Sequence, residues 1–177
     1  DWRTAVRLID YYERNGDDKT ALTIATNAYK KDRENSIVGI RYAQALINNG
    51  QYSASLKALE SMTVLPNEGA SIGKVVYEQS ALFLAMDMMK KKRYSEALKY
   101  IEKSKSYPEN LGVGKPYESD TRLQDYLKIK CLEKMNRKNE IPARTIGLRV
   151  QAYIQSAASL RLSTMKKGAP NPLSARF

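Results

Sequence analysis

The residues that could do chemistry are few, and their types exclude more than they suggest. No histidine occurs among the 177 residues, which removes Ser-His and Cys-His nucleophile pairs, imidazole general bases and the zinc sites that rely on imidazole. The one cysteine, Cys131, has no partner for an internal disulfide. It falls on the apolar side of a helical pattern, where a small buried hydrophobe is the expected role. Two lysines follow glycines in ways that imitate a phosphate-binding loop. The stretch GASIGKV from Gly69 to Val75 is one spacer short and lacks the Ser or Thr that would hold magnesium; Gly112-Val113-Gly114-Lys115 fails likewise and runs into Pro116. Both read as loops. The acidic pairs Asp17-Asp18, and Glu118 with Asp120, stand just before helical stretches, where carboxylates satisfy free amides and the positive dipole end, so capping is expected rather than metal binding. No carboxylate pair has surroundings that mark a glycosidase-type acid and base. These residues point to no catalyst, metal or cofactor, and a protein that is not an enzyme is the expectation.

The charge balance points to partners instead. Thirty Lys plus Arg against nineteen Asp plus Glu give a net charge of +11, which favours acidic partners, whether protein, nucleic acid or anionic lipid, through attraction that salt weakens. After Glu140 there is no acidic residue, while Arg144, Arg149, Arg161, Lys166, Lys167 and Arg176 accumulate. A polar outer face on the last of a stack of helices is the preferred account of that run, and a polyanion-binding helix and tail is the alternative. Twelve tyrosines are expected to fill gaps between helical layers; stacking on bases would need them interleaved with Arg on one surface, which Tyr11, Tyr12, Tyr29 and Tyr42 do not establish. No apolar run approaches the roughly 20 residues needed to span a bilayer. The chain opens on Asp1 with no signal-peptide pattern, so a fragment of a larger protein is the expectation.

The elements that position these residues are helical throughout. Ala5, Val6, Ile9 and Tyr12 share one face of a helix over 2–13 that closes at Asn15-Gly16-Asp17. Ala21, Leu22, Ala25 and Ala28 line the next helix. Asn35-Ser36 then offers a cap for a helix with Ile37, Ile40, Ala43, Leu46 and Ile47 inward, ending at Asn48-Asn49-Gly50. Leu56 and Leu59 mark a helix from Tyr52, and 63–70 reads as a connection. A longer helix over 71–91 carries Val75, Ala81, Leu82, Ala85, Met86 and Met89. Its partner carries Tyr94, Ala97, Leu98, Ile101 and Ser104 until Pro108 stops it. After a loop over 108–119, Leu123, Tyr126, Leu127, Ile129, Cys131 and Leu132 resume the spacing. A last helix, reaching about residue 165, places Ile146, Val150, Ile154, Ala157 and Leu160 inward.

A turn of glycine type, a small residue five positions later and an apolar residue after four more recur along the chain. Gly16 and Gly50 are 34 residues apart, as are Ala21 and Ser55, and Ala97 follows Ser55 by 42. The recurrence resembles the tetratricopeptide repeat, a helical hairpin that stacks into a solenoid, over about residues 1–157. Ile141, at the repeat's alanine position, departs from the pattern. The loop YPENLGVGKP also resembles one near the C-terminal end of large bacterial tetratricopeptide proteins that carry an N-terminal domain of unknown function. The resemblance implies an all-α, TPR-like superhelix of about four hairpins, at about 1–34, 35–68, 69–110 and 118–165, with a basic tail over 166–177.

It further implies a scaffold that binds a peptide or partner domain on a concave face lined by the first helix of each hairpin. By register those positions are Ile40, Gln44, Ile47 and Asn48, then Gln79, Leu82, Met86, Met89 and Lys90, then Tyr126, Lys130, Glu133 and Lys134. Gln44, Asn48, Gln79, Met86, Lys90, Tyr126, Lys130 and Lys134 are the candidate contacts. The lysines would receive an acidic peptide or carboxylate, and Gln44 with Asn48 an extended backbone. The carboxylate clamp of chaperone-binding members is disfavoured, because Val6 and Asp10 occupy its first-hairpin positions.

Overall fold

Helices start where short polar side chains can accept from free backbone amides, and three of them here begin that way. In a computed structural model that describes residues 1–66 and 71–141, α1 spans Trp2–Arg14, α2 Asp18–Lys31 and α3 Ser36–Asn48. Asp1, Asp17 and Asn35 cap them, accepting from the amides of Arg3, Thr20 and Val38 at 3.1, 3.1 and 3.3 Å. The bond from Thr20 holds the Asp17 carboxyl below its ordinary range, so this acidic residue has the capping role its position suggested. Then follow α4 (Tyr52–Ser61), α5 (Ile72–Lys90), α6 (Tyr94–Ser104) and α7 (Arg122–Lys134). The described residues are all-α, with no strand among them. No described helix is long and apolar enough to cross a membrane.

Four corners share one backbone geometry. Gly16, Gly50, Lys92 and Asn136 have φ of 76°, 73°, 60° and 59°, the left-handed conformation that ends a helix while turning the chain back. In each, the next residue's amide reaches the carbonyl five positions earlier. Asp17 donates to Tyr12, Gln51 to Leu46, Arg93 to Met88 and Arg137 to Leu132, all at 2.8–2.9 Å. The corners are 34, 42 and 44 residues apart, so one turn design recurs while the helices and loops between lengthen. Lys92 and Asn136 hold a conformation that costs an L residue about 1–2 kcal/mol and glycine nothing.

Packing follows chain order. Each helix lies against the next, and the first helices of successive hairpins also touch, α1 on α3 and α3 on α5. The main core joins Leu56 and Leu59 of α4 with Val76, Ala81, Leu84 and Ala85 of α5, Ala97 and Ile101 of α6, and Leu127 and Cys131 of α7. α5 is buried around most of its girth, Ser80 included, because α3, α4 and α6 all pack on it. The spacing expected Ile37 inward and did not select Val38. The structure reverses them: Ile37 is 50% exposed and Val38 fully buried, since in the first turn the neighbouring helix rather than local periodicity decides which side is inner. Val75 is likewise only half-buried, while Val76 is enclosed.

The loop after α6, expected to be a plain break, is a clamp. A 3-10 turn at Glu109–Leu111 buries Leu111 completely. Asn110 Nδ2 donates to the Leu59 and Met62 carbonyls at 2.9 and 2.7 Å, and its own carbonyl accepts from the Val64 amide at 2.7 Å. The open carbonyl end of α4 is thereby satisfied from 48 and 51 residues away. Gly112 is obligatory there: φ is +64° and a Cβ would stand 2.5 Å from the Val64 carbonyl. The second helix expected for the fourth hairpin, with Ile146, Val150, Ile154, Ala157 and Leu160, and the basic residues from Arg144 to Arg176, lie outside the described residues.

Candidate partner-binding surface

Counted back from the four corners, six of the eight candidate contacts fall on two shared register positions of the odd-numbered helices. The sixth residue before each corner is Asp10, Gln44, Met86 and Lys130, and the second is Arg14, Asn48, Lys90 and Lys134. Two of the candidates meet directly in the second hairpin: Gln44, which is buried, donates through Nε2 to Asn48 Oδ1 at 3.1 Å. Asn48 in turn donates to Glu13 Oε1 of α1 at 2.9 Å. These two amides are therefore already engaged across the joint between hairpins.

Glu13 was not selected from the sequence. The signal was in the register, because it stands third before its corner where Ile47 and Met89 stand in the next two hairpins. Burial lifts its carboxyl from 4.5 to about 7; Arg41 opposes the rise, Asp10 and Asp18 add to it, and the Asn48 bond opposes it. Asp10 pairs with Arg41 Nη1 at 3.3 Å, in a contact too poorly aligned to count as a hydrogen bond.

The remaining candidates are more open. Met86 and Tyr126 are half-buried and pack against the same main core, and Gln79 is half-buried. Lys130 Nζ lies 5.6 Å from the centre of the Tyr126 ring and 3.3 Å from Glu133 Oε2. Lys90 and Lys134 are exposed at the ends of α5 and α7, where cations suit the helix dipole. The two register positions thus hold Asp10 and Arg14 in the first hairpin, two amides in the second, Met86 and Lys90 in the third and two lysines in the fourth.

Lys74, at the end of the phosphate-loop lookalike, is buried inside α5. Its Nζ donates to Glu78 Oε2 and to the Ser104 carbonyl, both at 2.8 Å, and sits 4.7 Å from the Tyr107 ring centre. Gln124 of α7 donates to the other Glu78 oxygen at 2.6 Å. This lysine ties α5 to α6, Glu78 extends the link to α7, and the enclosed Nζ is not displayed to a phosphate. Cys131 is fully enclosed, and burial pushes its thiol up to about 11. Away from these positions, a cleft of about 460 Å³ opens between the second and third corners, lined by Tyr52, Leu84, Met88, Arg93 and Tyr100. Its two ion pairs, Lys91–Asp87 and Arg93–Glu96, leave it without net charge.

No protein-family model, no curated protein and no solved structure matches the chain.

Proposed function

We propose that the chain is a TPR-like α-solenoid that acts as a non-catalytic protein-interaction scaffold, holding an acidic peptide or partner segment along the row of odd-numbered helices. The observation that carries this reading is the fourfold left-handed corner with its repeated hydrogen bond. Corners of one geometry at near-regular intervals orient successive hairpins alike, and first helices so aligned leave one face of each free for a ligand. Lys90, Lys130 and Lys134 supply attraction, and half-buried Met86 and Tyr126 supply apolar contact.

The test is the double substitution Lys90→Glu with Lys130→Glu, read against a panel of fluorescent Glu-rich peptides. Affinity for the tightest binder should fall by about tenfold or more, with little change in melting temperature because both side chains reach solvent. Unchanged affinity in the folded variant defeats the groove assignment. The basic run after Glu140 favours a second reading, a polyanion-binding module. Truncation after Ser159 separates the two, since only that module loses nucleic-acid or anionic-liposome binding with a steep salt dependence.

A further inference from the structure

Between α1, α2 and α3 three carboxylates are set against one guanidinium. Asp10 and Glu13 stand one turn apart on α1 and Asp18 opens α2, all three half-buried. Arg41 of α3 lies 3.3 Å from Asp10 and also acts on Glu13. Asp18 is itself held above its ordinary range, by burial first and then by Asp17. Side-chain amides of α3 and its cap bond across the joint: Asn48 donates to Glu13 at 2.9 Å and Asn49 Nδ2 to the Asp18 carbonyl at 2.8 Å. Apolar support is slight. Ala21 and Ala25 of α2 are enclosed with Ala45 of α3, and Tyr29 stacks on Tyr42 with ring centres 4.8 Å apart. Ala43 and Ile47 of α3 belong instead to the main core, which continues to α7. The division between the two cores thus runs through α3, and the chain crosses the joint once, at 32–35.

We propose that this joint is a proton-operated latch, shut while Glu13 carries its proton and loosened by losing it, so that α1 and α2 come away from α3 while α3 to α7 keep their packing. The direction follows from burial. Glu13 keeps its proton to about 7 in the closed joint against an ordinary 4.5, so the preference for closure is complete below about 4.5 and is lost as pH rises through about 7. Once ionised, Glu13 faces Asp10 and Asp18 with Arg41 to offset them, and opening returns all three carboxylates to water. That release uncovers little apolar surface, because the enclosed set at the joint is three alanines and Ile9. The main core is left intact, which is what makes the opening local rather than global. Opening also releases Asn48 from Glu13. Its use by a partner rests on the scaffold reading; the latch itself does not, and its test needs no partner.

Hydrogen exchange of the whole chain tests the latch, read as protection factors so that the intrinsic pH dependence of exchange drops out. Helices as short as α1 and α2 are marginal in water once undocked, so opening exposes their amides. At pH 8 the amides of α1 and α2 should be about a hundredfold less protected than those of α5 and α6, which open only with the main core. From pH 5.5 to pH 8 protection in α1 and α2 should fall about tenfold. Glu13→Gln should remove that fall, and Asp10→Asn, which takes away a neighbouring charge, should move its midpoint to lower pH. One common protection for α1, α2, α5 and α6 overturns the proposal, because the opening would then be global. So does protection in α1 and α2 that is flat between the two pH values, a fall that persists in Glu13→Gln, or a midpoint that Asp10→Asn leaves in place or raises.

Discussion

The first hairpin and the third solve the same packing problem with different material. Around α1 and α2 the enclosed residues are Ile9, Ala21, Ala25 and Ala45, so the helices approach closely but remove little apolar surface from water. Around α5 and α6 the enclosed set holds Val76, Tyr77, Leu84, Met88 and Ile101, continuous with α4 and α7. The thin core is supplemented by polar contacts to the next hairpin, Glu13 with Asn48 and Asp10 with Arg41. Hydrophobic stabilisation scales with buried area, so the first hairpin should be the weaker unit and the one that responds to pH. Local stability differing by region in this way is a common property of folded chains.

The largest expected effect compares one residue type in both cores. Ile101→Ala should cost about 3–4 kcal/mol and Ile9→Ala about 2 kcal/mol, because a cavity in the thin cluster can collapse further than one held open by four helices. Both residues are fully buried, so equal costs in denaturant titrations would mean the two cores are equally rigid.

A pH titration sharpens the contrast next. Glu13 holds its proton more tightly folded than unfolded, near 7 against 4.5. The stability this contributes is complete below about 4.5 and is lost as pH rises through about 7. Partial exposure to solvent limits the loss to about 1–2 kcal/mol. Glu13→Gln should match the parent at pH 4 and exceed it at pH 8. An identical pH profile in the variant would show that the carboxyl is not held in this joint.

The smallest effect sets corner against corner. Lys92→Gly should raise stability by about 1 kcal/mol, and Gly50→Ala should lower it by a similar amount. Nothing lies within 4 Å of a Cβ placed at Gly50, so the loss there would come from backbone conformation alone. Changes of one sign at both corners would show that their common geometry does not set their energetics.

Much of the helix plan could be read in the residues, and the reasons are local. Asp17 and Asn35 cap because their side chains reach amides three residues away, and Gly16 and Gly50 turn the chain because glycine tolerates positive φ. Lys92 and Asn136 occupy the same corners without a glycine; Ala97 keeps the repeat's spacing after Lys92, while Ile141 breaks it after Asn136. In the candidate row, the open character of Lys90 and Lys134 was legible from their places near helix ends. The bond from Asn48 to Glu13 was not, because a hydrogen bond between residues 35 positions apart depends on how α1 settles on α3.

The amino-acid order by itself determined that the described chain is helical, where most of its helices begin and end, and that it carries no histidine chemistry. Those properties follow from side chains acting on backbone within a few residues. Tertiary structure alone decided that Val38 and not Ile37 turns inward, that Lys74 is a strut between α5 and α6, and that Asn110 caps a helix 48 residues upstream of it. It also decided that the Glu13 carboxyl keeps its proton to about pH 7. Each of these depends on which distant surface arrives and how fully it excludes water, a quantity that no local spacing encodes.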